Sequence, residues 1–80
     1  MDISDLKVGA KMTLKGNREF RIVDIRKEKD KNYIVCSTNQ KPIMPVVFEY
    51  KAEGEKIKVR EEKDNKILIQ IYNKMIKENS

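Results

Sequence analysis

Apolar and polar residues alternate most regularly between Val46 and Arg60. Val46, Phe48, Tyr50 and Ala52 stand against Val47, Glu49 and Lys51, the run stops at Glu53-Gly54-Glu55, and Ile57 and Val59 then alternate with Lys56, Lys58 and Arg60. Alternation of this kind marks half-buried strands, so the stretch predicts an antiparallel hairpin with one face on a core. Gly54 falls where a three-residue turn closed by a bulge needs a left-handed residue. Just upstream, Tyr33 to Thr38 is rich in aromatic and β-branched residues and predicts a strand. It ends at Asn39-Gln40-Lys41-Pro42, and Pro42-Ile43-Met44-Pro45, with no amide to donate at either proline, predicts a connection or a sheet edge.

Nearer the start, Leu6-Lys7-Val8 and Met12-Thr13-Leu14 predict two short extended pieces meeting at a Gly9-Ala10 bend, and Gly16-Asn17 supplies residues that tolerate positive φ in a tight turn. The arm from Glu19 to Lys27 changes phase. Phe20 and Ile22 share one face, whereas Val23 and Ile25 share the other, which a regular strand cannot reconcile with a single core. A bulge or sharp bend near Ile22-Val23 is therefore expected, of the kind that curls a sheet into a small barrel. Glu28-Lys29-Asp30-Lys31-Asn32 predicts an exposed turn.

The C-terminal segment fits two periods. With period 3.6, Leu68, Ile71, Tyr72, Met75 and Ile76 form one stripe, Asp64 is a suitable N-cap, only Ile69 is out of phase, and a helix runs from about Asn65 to Glu78. With period two, Ile67, Ile69 and Ile71 form a strand face, which keeps strand as the alternative for residues 66–72. The longer pattern favours the helix, although Lys66 near its start and Glu78 near its end oppose the helix dipole.

These elements predict one domain over residues 1–80, mostly β, with a sheet over about 6–61 and a helix over about 65–78. The sheet is expected to be antiparallel, strongly bent and of about five strands, in an SH3-like or OB-like half-open barrel, with the helix across one opening or face. The opening Leu6-Lys7-Val8-Gly9, a short strand, a glycine turn and a longer strand, is similar to the start of many small β-barrels. RNA-recognition, zinc-knuckle and helix-turn-helix patterns are absent.

Composition narrows the chemistry. With 80 residues there is room for one core and modest stability. The chain has one cysteine and no histidine, which rules out an internal disulfide and removes the commonest general base and metal ligand. Cys36, between Val35 and Ser37, reads as a small buried hydrophobe rather than a nucleophile. Glu61, Glu62 and Asp64, interrupted by Lys63, read as a polar turn rather than a cation site, and Gly9, Gly16 and Gly54 are too scattered for a phosphate loop. No catalytic, cofactor or metal site is expected. The acidic Met1-Asp2-Ile3-Ser4-Asp5 lacks the apolar run of a signal peptide, and no stretch has the length of a membrane span, so the expected location is cytoplasmic.

Net charge is +5, and residues 1–60 carry the excess, with 14 basic against 9 acidic residues. Fourteen of the 18 basic residues are lysine, whereas arginine is the residue favoured for base and phosphate contacts. Two functional expectations follow. The first is a non-catalytic binding or adaptor module acting on an unknown protein partner, with Ile43, Met44 and Val47 as the candidate contact. The second is weak nucleic-acid binding through Arg18, Arg21, Lys51, Lys56, Lys58 and Arg60, with Phe20, Tyr33, Phe48 and Tyr50 as candidate stacking rings. The rings fit core positions better, because so short a chain has few other residues large enough to build one.

Overall fold

A computed structural model describes residues 3–14 and 16–78, so Met1 and Asp2 of the acidic opening lie outside the described residues. After a short 3-10 helix at Ile3–Asp5 come β1 (Lys11–Leu14), β2 (Arg18–Glu28), β3 (Lys31–Thr38), β4 (Pro45–Glu53), β5 (Lys56–Glu61) and α1 (Asn65–Glu78). The five strands form an antiparallel meander in the order β1-β2-β3-β4-β5, curled into a half-barrel. Leu6 to Val8, expected to be extended and to open the sheet, forms no strand. The chain turns at Gly9, whose φ is 92°, and joins β2 through hydrogen bonds from Gly9 N–H to the Ile22 carbonyl and from Ile22 N–H to the Ala10 carbonyl, both 2.8 Å.

The phase change in β2 is a bulge. Ile22 is paired with Cys36 and Asp24 with Val35, leaving Val23 as the extra residue. Val23 is exposed there, and the inserted position returns Ile25 to the face of Phe20 and Ile22. The inner face gathers Met12, Phe20, Ile22, Ile34, Cys36, Phe48 and Ile57 into the main core. Phe20 and Phe48 meet edge to face with ring centroids 5.2 Å apart. At one mouth of the half-barrel, Arg18 of β2 reaches Glu61 of β5 at 3.7 Å, joining strands that do not pair.

The β4–β5 loop is shorter than expected. Glu53 pairs with Lys56, which leaves the two residues Gly54 and Glu55, with φ of 65° at Gly54. A positive φ at the first of two loop positions is the requirement of a II′ turn, whose twist matches that of the strands, so no bulge is needed.

The outer face carries a second core. Beyond β5, the Glu62 N–H bonds the Val47 carbonyl at 2.8 Å, and Asp64 caps α1 by accepting the Lys66 N–H at 3.0 Å. The helix then lies across the sheet with Ile71 against Tyr33, Val35 and Val47, flanked by Ile67, Leu68, Tyr72 and Met75. Ile69 points away, as the helical period requires, and so does Ile76, which the stripe had placed inward. Of the two charges that oppose the dipole, Glu78 is met by the sheet, accepting from Arg26, 3.0 Å from its Nη1. Lys74, whose charge suits the C-terminal half of the helix, pairs with Glu28. Among the described residues no helix is long and apolar enough to cross a membrane.

Candidate binding face

The expected apolar contact does not assemble. Ile43 and Met44 are 67% and 55% exposed on the β3–β4 connection, whereas Val47 is 1% exposed. Val47 occupies an outward position of β4, but that part of the outer face is the floor on which α1 packs, so it belongs to the second core. The connection is itself well fixed. Thr38 N–H bonds the Met44 carbonyl, and the Thr38 hydroxyl accepts the Met44 N–H, both at 2.9 Å.

The candidate rings are also unavailable for stacking. Phe20 and Phe48 lie in the inner core, Tyr33 lies beneath α1, and the half-buried Tyr50 packs against the inner core. Burial pushes the Tyr33 hydroxyl above its usual pKa. Cys36 faces the inner core, where burial pushes its thiol up to about 12, so it is protonated and enclosed at neutral pH. The three acids after β5 have separate tasks: Glu61 meets Arg18, Asp64 caps α1, and Glu62 Oε2 lies 3.5 Å from the Asp64 N–H. Among the described residues no cluster of three or more possible metal ligands occurs.

The basic candidates separate into three places. Arg18 lies by the barrel mouth, 5.2 Å from the Phe20 ring centroid, and Arg21 stands opposite Lys11 and Ser37 on another part of the sheet. Lys51, Lys56, Lys58 and Arg60 share the outer face of the β4–β5 hairpin, where Lys51 stands directly opposite Lys58, Arg60 opposite Glu49 and Lys56 opposite Glu53.

One strand further in, Asn32 pairs with Tyr50 and Tyr33 with Glu49. Continuing that register by one residue sets Lys31 beside Lys51, so a row of three lysines, Lys31, Lys51 and Lys58, crosses β3, β4 and β5. These three line an open groove of about 630 Å³ with Glu49, Val59 and Arg60.

Glu49 lies at the base of this row and is the residue whose part the linear pattern hid. It reads as one more charge on a solvated face, yet it is 7% exposed beside the helix-covered floor. Its carboxylate lies 3.6 Å from Lys31 Nζ and 3.5 Å from Arg60 Nη2. Its Oε2 accepts no hydrogen bond from the described residues. Two cations thus meet this carboxylate, while Lys51 and Lys58, which line the same groove, have no ion-pair partner among the described residues. Like charges directly opposite on a sheet are unfavourable, so an anion over the row would relieve their repulsion. Comparison with protein-family models, curated proteins and solved structures finds no match for this chain.

Proposed function

We propose that this protein is a small non-catalytic binding module of the cytoplasm that takes an acidic protein segment on its outer hairpin face. The observation that carries the reading is the cross-sheet row Lys31, Lys51 and Lys58 with Arg60 beside it, excess positive charge gathered around one carboxylate. Complementary charge steers partners and sets register, and its effect on association weakens with salt. A protein partner is favoured over nucleic acid because Phe20, Tyr33 and Phe48 are enclosed and Tyr50 packs against the inner core, and because Arg60 is the single guanidinium in the groove lining.

The test is an NMR titration of the isotope-labelled chain with polyglutamate and, separately, with a single-stranded oligothymidylate, at low and at physiological salt. The expected result is salt-sensitive polyglutamate binding with shifts centred on Lys31, Lys51, Lys58 and Arg60. Combining Lys51→Glu with Lys58→Glu should weaken it on the order of tenfold or more. Tighter binding of the oligonucleotide would replace the protein reading with the nucleic-acid one. Shifts absent from this face, or unchanged by the double charge reversal, would end both.

A further inference from the structure

Next to the basic row the sheet ends at β5, whose other side has no pairing strand among the described residues. We propose that the acidic partner binds as an extended segment added to β5, with acidic residues at alternate positions and apolar residues between them. This inference rests on the acidic-partner reading above and specifies how that partner is held.

The hairpin loop determines which backbone groups are offered. A two-residue loop closes on a hydrogen-bonded pair, here Glu53 and Lys56. Hydrogen-bonded and non-hydrogen-bonded pairs then alternate along the ladder, so Lys58 opposite Lys51 and Arg60 opposite Glu49 also direct their N–H and C=O groups to β4. Ile57, Val59 and Glu61, the residues between and beyond them, turn theirs to the free side. β5 is six residues long, contains no proline and pairs with β4 in unbroken register; Arg18 reaches across to Glu61 at its far end, so the edge offered to another strand is the stretch from Lys56 to Arg60.

Side chains supply the sequence preference. A strand added to β5 continues the pleat, so its residues would alternate between the outer face beside Lys56, Lys58 and Arg60 and the inner face beside Ile57 and Val59. Residues two apart in a strand are separated by about 6.6 Å, so acidic groups at every second position match the basic residues of β5 in both spacing and sign. A second copy of the chain pairing through its own β5 would bring lysine and arginine against lysine and arginine on the outer face, which disfavours self-association. A helical acidic segment would leave the free amides of Ile57 and Val59 unused.

Three peptides decide the matter: a blocked octapeptide alternating Glu and Val, one of the same composition with all Glu preceding all Val, and the alternating peptide with alternate amides N-methylated. Each is titrated into the intact labelled chain, with amide exchange measured at Ile57 and Val59. The alternating peptide should bind at least about tenfold more tightly than the N-methylated one, because each backbone hydrogen bond lost costs about fivefold. It should also bind more tightly than the block peptide, which keeps those bonds but sets half of its glutamates on the inner face beside Ile57 and Val59. It should also slow exchange at both amides. Val59→Pro removes an outward N–H and no bond to β4, and should abolish that advantage. If this variant does not fold, the N-methylated peptide makes the same test on the unaltered chain. Equal affinity for all three peptides with exchange unchanged would overturn strand addition and leave the charge reading intact. No binding of any peptide at low salt would overturn both.

Discussion

Replacing Ile71 by alanine, with Ile69→Ala beside it, tests how the helix is attached to the sheet. Ile71 is fully enclosed at 0% exposure between Tyr33, Val35 and Val47, whereas Ile69 is 58% exposed two residues earlier. Ile71→Ala removes three buried carbons, and at about 0.8 kcal/mol each the lost transfer free energy is roughly 2.4 kcal/mol. The cavity left beneath the helix raises this to about 3 to 4 kcal/mol, within the span seen for such truncations. A chain of this length has on the order of 4 to 12 kcal/mol of stability in total, so the loss is a large part of it. Ile69→Ala exchanges an exposed side chain for a better helix former and should change stability by less than about 0.5 kcal/mol. Urea denaturation followed by far-ultraviolet circular dichroism gives both values, and thermal midpoints should separate by roughly 12 to 30 °C. In a strand, Ile69 and Ile71 would share a face and lose alike. Equal losses would therefore refute the helical phase, and a cost below about 1 kcal/mol at Ile71 would refute the second core.

Three further outcomes are expected. Asp64→Ala removes the acceptor of the Lys66 N–H and should cost about 1 kcal/mol in the same urea assay, whereas Asp64→Asn should cost almost nothing. Hydrogen bonds from Lys74 and Arg26 hold the carboxyls of Glu28 and Glu78 below their usual range, so their contribution is present above the ordinary carboxylate pKa and lost as pH falls through the lowered values. Arg26→Leu should accordingly reduce the fall in urea midpoint between about pH 5 and about pH 3, and an identical fall in both proteins would contradict the pairing. Burial raises Cys36 from 9.0 to about 12, so its contribution is complete below pH 9.0 and lost as pH rises towards 12. Cys36→Ala should flatten that alkaline decline, and thiol labelling at neutral pH should proceed only at the rate of opening.

What the chain determines by itself is local periodicity and its interruptions. Alternation over Val46 to Arg60 gives the hairpin, the clash of phase between Ile22 and Ile25 requires the bulge at Val23, and the spacing from Leu68 to Met75 with Asp64 before it gives the capped helix. Each is decided within a few residues, by the direction in which successive Cβ atoms point. The same periodicity does not say what lies over the outer face. That α1 folds back there, and not across the barrel opening, turns Val47 from a surface residue into core and nearly encloses Glu49. Nor does it set which residues stand side by side on different strands, since a shift of one residue in register reverses every side chain. The row of Lys31, Lys51 and Lys58 joins residues remote in the chain, and only the tertiary structure brings them together around one carboxylate.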